Sequence, residues 1–228
     1  MRLVLLPGMD GTGILFDPFL EHAPPGVPIE VVRLPQTADG EYSEHAKYVQ
    51  GLIGDTQVVL VAESYSGMIA YELVKMGCPG IKHIIFAASF ISRPSLLARL
   101  GRHVPIELAR SNAVPRAIAG RVLFGKGNHQ ALIEHLYRAL NSVDASVLRK
   151  RLQQIASIPE PKHRISTPCT YIRPSHDLFI STSALNAFAV LCDSLAVHEV
   201  DGTHFILQTN PVQCWQIIQR NAELPGTF

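Results

Sequence analysis

Val58-Val59-Leu60-Val61-Ala62-Glu63-Ser64-Tyr65-Ser66-Gly67-Met68-Ile69-Ala70 decides the reading of this chain. The run of apolar, largely β-branched residues predicts a buried strand. It ends at small residues around Ser64. A helical pattern follows, with Met68, Ile69, Tyr71, Leu73 and Val74 as its apolar positions. A serine on a tight strand-to-helix turn is displayed for chemistry, because the turn pushes its hydroxyl out of the sheet. Such a turn needs small residues two before and two after the serine, and Ala62 and Ser66 fill those places. A serine at a turn is common in α/β proteins, so the motif gains its weight from three further segments.

The first is Leu3-Val4-Leu5-Leu6-Pro7-Gly8-Met9-Asp10-Gly11-Thr12-Gly13, a short strand running into a glycine-rich loop. Glycines let a backbone turn sharply and approach a ligand. Preorganised N–H groups on such a loop stabilise the negative charge that acyl transfer builds on a carbonyl oxygen. The spacing fits neither a Walker loop, since no lysine follows, nor G-x-G-x-x-G. The second is Cys169-Thr170-Tyr171-Ile172-Arg173-Pro174-Ser175-His176-Asp177, a strand whose exit loop carries an acid. An acid there either caps the following turn or accepts a hydrogen bond from a catalytic histidine. Asp193, in an amphipathic stretch, and Asp201, three residues before the candidate histidine, are its rivals. Asp177 is favoured on the chain order Ser, Asp, His. The third is Ala196-Val197-His198-Glu199-Val200-Asp201-Gly202-Thr203-His204-Phe205, which places His204 in a loop before the last helix. A histidine there can take a proton from Ser64 and return it to a leaving group. His176 is a weaker rival base. None of the ten histidines stands in an H-x-x-x-H or H-E-x-x-H spacing, and no C-x-x-C occurs, so neither a metal nor a cofactor is expected.

Taken in order, Pro7–Gly11, Ala62–Ser66, the Asp177 loop and the Gly202–Phe205 loop resemble the α/β-hydrolase superfamily over nearly the whole chain. The resemblance is closest to compact single-domain esterases with a small helical cap. It implies Ser64 as nucleophile, Asp177 as acid, His204 as base, and the Met9 and Tyr65 N–H groups as oxyanion donors, with Asp10 as the next choice after Met9. It also implies a carboxylic ester or thioester as substrate. Glu63 stands where many relatives have histidine, and it is read as structural support. Pro7-Gly-Met-Asp-Gly-Thr-Gly13 is similar to a branch that transfers acyl groups to alcohols, which leaves water and an alcohol both open as acceptors. A catalytically idle receptor on the same fold is the reading from a different class.

Strands are expected at about 2–6, 29–33, 57–62, 82–87, 168–173 and 196–200, with helices at about 44–54, 65–76, 184–192 and 211–220. This alternation predicts an α/β fold with a trimmed, mainly parallel sheet of about six strands flanked by helices. Residues 93–161 lack strand signals. They read as short helices broken by Pro94, Pro105, Pro115, Gly120, Gly125 and Gly127, clearest over His129 to Leu140 and Ala145 to Ile155. The expected organisation is a core of residues 1–92 and 162–228 with a helical cap of residues 93–161. Phe90, Leu97, Phe124 and Phe205 are candidates for the substrate pocket, with Leu96, Leu100 and Leu123 beside them.

The 228 residues are 47% hydrophobic and 17% charged, which suits a large core and excludes a disordered chain. Leu3 to Leu6 is too short for a secretory signal, and the longest apolar runs fall short of a membrane span. Four scattered cysteines favour reduced thiols and a cytoplasmic location. The charge is uneven. Residues 93–161 hold eleven Lys and Arg against four acids, a net of +7, leaving −6 on the rest of a +1 chain. A basic cap beside an acyl pocket would suit an acidic acyl carrier protein, with Arg149 and Arg151 on the docking face; a solvated basic face is the plain alternative. A small-molecule acyl ester remains the main expected partner, and no recognition motif for nucleic acid appears.

Overall fold

The computed structural model describes residues 1–95, 106–107, 115–127 and 129–222. Six strands form one parallel sheet: β1 (Arg2–Leu6), β2 (Ile29–Val31), β3 (Val58–Glu63), β4 (Ile81–Ala87), β5 (Cys169–Pro174) and β6 (Leu195–Val200). Their spatial order is β2-β1-β3-β4-β5-β6, with every neighbouring pair parallel. The chain runs outward from β1 to β2, then returns to β3 on the other side of β1. The crevice beyond the carboxyl ends of β1 and β3 is therefore a topological switch point, where ligands bind in open α/β sheets.

Period-two alternation builds both cores. Val4, Leu6, Leu60, Ala62 and Phe86 face one layer; Leu3, Leu5, Val59, Val61 and Ile85 face the other. On the first side lie α2 (Tyr42–Ile53) and α3 (Ser66–Lys75), through Ala46, Val49, Ile69 and Leu73. On the second, Phe19 of the short α1 (Asp17–Leu20) stacks on Trp215 at 4.3 Å, and Trp215 Nε1 donates to the Phe19 carbonyl at 2.8 Å. β3 is buried at all six positions, as a central parallel strand covered on both faces must be.

Between β4 and β5 the chain forms α4 (Arg116–Phe124), α5 (Gln130–Asn141) and α6 (Ala145–Ala156). Pro115 starts α4, and Gly125, at φ 89°, ends it. Gly120, read from the sequence as a breaker, lies inside α4 instead. A Cβ there would come within 2.7 Å of Ile133 Cδ1, so the missing side chain lets α4 pack closely on α5. The chain then continues through β5, α7 (Thr182–Leu191), β6, α8 (Ile206–Thr209) and α9 (Pro211–Ala222). Among the described residues, no helix is long and apolar enough to cross a membrane.

Candidate active site

Ser64 follows the last residue of β3 and precedes α3, with φ at 48°. That left-handed backbone is strained for a residue with a Cβ, at a cost of about 1–3 kcal/mol, and persists only where the surroundings impose it. Here they do. The Ser64 N–H donates to Ala87 O at 3.0 Å, and its carbonyl accepts from Ser89 Oγ at 2.7 Å. Ser89 is in turn gripped by the buried Tyr171, whose hydroxyl donates to Ser89 O at 2.7 Å. Ser66, one of the small residues the turn requires, is buried and donates its hydroxyl to Pro7 O, tying the elbow to the glycine loop. The closest approach falls at Gly67. A Cβ there would lie 2.2 Å from Ser89 Oγ and 2.5 Å from the Phe90 carbonyl.

The chain brings Ser64, His204 and Asp177 into one line. Ser64 Oγ is 2.9 Å from His204 Nε2, and His204 Nδ1 is 2.8 Å from Asp177 Oδ2. Both carboxylate oxygens of Asp177 are engaged. One oxygen meets the histidine; the other accepts the N–H groups of Phe179 at 2.8 Å and Ile180 at 3.1 Å. The imidazole is flanked by the rings of Phe179 and Phe205, 5.0 and 5.6 Å away. The rival acids are elsewhere. Asp193 pairs with Arg164, and the exposed Asp201 accepts from Ser175 Oγ at 2.9 Å. The rival base His176 is exposed and faces Asp201.

Met9 follows Gly8 on the glycine loop, and both residues line a cavity that Ser64 and His204 also line. Tyr65 opens the helix after the serine. Its buried ring contributes to the core, and its hydroxyl donates to Gln154 Oε1 at 2.7 Å. Asp10 turns its carboxylate onto the N–H and hydroxyl of Thr12.

Arg151 corrects the sequence reading. The sequence sets it on a basic docking face, but it is 1% exposed. Its guanidinium points inward from α6 and donates to the carbonyls of Met9 at 2.9 Å, Asp10 at 2.9 Å and Pro35 at 3.0 Å. Gly11, at φ 70°, leaves it room; a Cβ there would lie 2.5 Å from Arg151 Nη1. Gln154, one turn on, bonds Tyr65, the Gly40 carbonyl and Glu41. Other basic residues of the segment are paired as well: Arg138 with Asp17, Arg149 with Glu107 and Lys150 with Glu41.

The cavity is about 580 Å³ and largely apolar. Phe90 and Phe205, expected from the sequence, line it. Phe124 does not; it packs behind Phe205 with ring centroids 4.9 Å apart. Leu97, Leu96 and Leu100 lie outside the described residues. Much of the wall was missed. Ile133, Leu136, Tyr137 and Leu140 of α5 line the cavity, as do Ile118 and Val122 of α4. The α5 set recurs at i, i+3, i+4 and i+7, so the stripe itself is readable, but what it faces is not. Glu63 also lines the cavity and is almost fully buried. Burial is the main force pushing its carboxyl up to about 7, with the Asp10 charge acting the same way. Hydrogen bonds from Gln208 Nε2, at 2.7 Å, and the Gly8 backbone, with the nearby His204, oppose the shift.

No protein-family model matches the sequence, and a search of curated proteins finds no match. Solved structures do match. An enol-lactonase from Burkholderia xenovorans LB400 aligns with a TM-score of 0.82 at 13% identity, covering 98% of this chain and 91% of that one. An esterase from Exiguobacterium antarcticum aligns at 0.81 and 13% identity, over 98% and 92%. A thioesterase from the prodiginine biosynthetic pathway in Streptomyces coelicolor aligns at 0.65 and 20% identity, over 98% and 90%. The chain has the α/β-hydrolase fold, with a six-stranded parallel sheet.

Proposed function

We propose that this protein is a serine hydrolase that cleaves carboxylic esters or thioesters through an acyl-enzyme on Ser64. The observation that carries the reading is the hydrogen-bonded line Ser64–His204–Asp177 at one end of an apolar cavity. In this reading Ser64 Oγ attacks the acyl carbonyl carbon as His204 Nε2 takes its proton. Asp177 holds the imidazole by Nδ1 and stabilises the imidazolium. The N–H groups of Met9 and Tyr65 receive the oxyanion. His204 returns the proton to the departing alkoxide or thiolate, then activates a water that cleaves the acyl-enzyme. Arg151 is a positioning residue: by holding the Met9 and Asp10 carbonyls it fixes the two peptide planes that follow Met9 on the oxyanion loop, which carry the Asp10 and Gly11 N–H groups. Residues 93–161 act as a cap that shapes the pocket and excludes water over a core of residues 1–92 and 162–228. The free cysteines suit a reducing, cytoplasmic setting.

A thioester carried on an acidic acyl carrier protein is a second reading. It is favoured by exposed Arg121 and Lys126 beside Ile118 and Val122, which line the cavity while remaining exposed, and by the fold shared with a thioesterase.

The test pairs turnover of p-nitrophenyl esters, from acetate to palmitate, with labelling by a fluorophosphonate. The wild type should hydrolyse at least one chain length and gain one phosphonyl mass on Ser64. Ser64→Ala should lose the label and about 10⁶-fold in kcat. Full turnover by Ser64→Ala overturns the reading.

A further inference from the structure

We propose that the cavity selects neutral acyl groups, and that the Glu63 carboxylate beside Ser64 turns away substrates carrying a second negative charge on the acyl chain. This rests on the acyl-hydrolase reading above and adds the chemical class of its substrate. Three observations carry it. The cavity walls from α4, α5 and α6 are built from side chains such as Ile118, Leu136 and Leu152, so a carboxylate drawn inside would lose its water against hydrocarbon. At the Ser64 end the cavity is lined by two acids, Asp10 and Glu63, which are 4% and 5% exposed. Glu63 is also fixed in place. Gln208 from α8 donates to one of its oxygens at 2.7 Å, and the Gly8 backbone N–H adds a second bond. A carboxylate so held cannot swing into water to relieve a like charge.

Each acid accepts two hydrogen bonds from uncharged donors, which leave its charge in place: Asp10 from the N–H and hydroxyl of Thr12, Glu63 from Gln208 and Gly8. The groups facing Glu63 are Asp10 and Gly8 from the glycine loop, His204, Gln208 of α8 and Cys214 of α9. Burial pushes the Cys214 thiol up to about 12, so it stays neutral, and His204 is engaged by Ser64 and Asp177. Because burial also holds the Glu63 carboxyl near 7, its charge rises between pH 6 and pH 8. The selection should strengthen over the same interval.

The experiment compares p-nitrophenyl hexanoate with mono-p-nitrophenyl adipate, two six-carbon acyl groups that differ by a terminal carboxylate. That carboxylate is ionised throughout pH 6 to 8, and any pH effect on the acylation chemistry common to both esters cancels in their ratio. For the wild type at pH 8, kcat/KM should favour the hexanoate by about 100-fold or more. The ratio should fall severalfold at pH 6. In Glu63→Gln it should narrow by about 10-fold at pH 8 and lose its pH dependence. Equal turnover of the two esters by the wild type overturns the proposal, as does a ratio that neither pH nor Glu63→Gln moves. The wild-type pH series needs no variant, so it decides the matter even if Glu63→Gln fails to fold. If both esters and the fluorophosphonate are inert toward the wild type, the acyl-hydrolase reading itself falls, and the selection falls with it. Phosphonylation of Ser64 together with equal use of both esters sinks the selection alone.

Discussion

Helices α5 and α6 follow each other in the chain and both wall the cavity, yet they are held to the core in opposite ways. From α6, Arg151 and Gln154 reach inward as buried polar groups and bond the glycine loop, Tyr65 and Gly40. From α5, Arg138 and His135 meet Asp17 of α1 at the surface, at 2.9 and 3.7 Å. Its inward face is a stripe of apolar side chains against the cavity. Buried hydrogen bonds to a charged group are directional and costly to break; surface ion pairs are screened and contribute little. One helix is thus part of the scaffold that holds the glycine loop, and the other is an apolar wall of the cavity.

The contrast is open to breaking, and the largest effect is expected at α6. Arg151→Met removes the guanidinium's bonds to the Met9, Asp10 and Pro35 carbonyls, of which Asp10 O keeps Gln36 Nε2 at 3.3 Å, at roughly 1–3 kcal/mol for each group left unsatisfied. Where the variant still folds, verified by circular dichroism, kcat should fall about 100-fold while KM moves only a few-fold. Arg151→Lys should recover part of the loss, and millimolar guanidinium should partly rescue Arg151→Gly. A loss in KM with kcat intact would show that α6 shapes binding and does not fix the loop.

A smaller change of a different kind is expected at α5. Leu136→Trp fills part of the cavity from the wall. It should lower the ratio of long-chain to short-chain ester turnover by about 10-fold and leave acetate hydrolysis nearly unchanged. An equal loss on every chain length would place α5 with α6 as scaffold. The smallest effect belongs to Arg138→Ala, which removes a pair whose side chains are about half exposed. Its cost in thermal unfolding should stay under about 1 kcal/mol and vanish in high salt. A larger penalty would mean that α5 is anchored through Asp17 after all.

The strands and the three loop residues were readable because each depends on local pattern. β3 is a continuous apolar run, and Ser64, Asp177 and His204 stand just after β3, β5 and β6, where a parallel sheet gathers its loops at one edge. The short α1 and α8 escaped notice, since four residues give no periodicity to detect. Gly120 reads as a breaker in sequence because a glycine removes a side chain whether it breaks a helix or lets another helix approach. Arg151 hides its role for a related reason. In sequence it is one of three consecutive basic residues on an amphipathic helix, and nothing local separates it from Arg149 and Lys150, which meet surface acids.

The sequence by itself determined the parallel sheet, the turn that displays Ser64 and the order in which Ser64, Asp177 and His204 arrive, because strand alternation and tight turns are properties of neighbouring residues. Only the tertiary structure decided which charges of the helical segment lie inside, where Glu63 stands relative to the cavity, and which apolar stripe meets which. Those outcomes depend on side chains brought together from distant parts of the chain. Arg151 reaches carbonyls 141 and 142 residues away, and a pattern of neighbours carries no record of such distances.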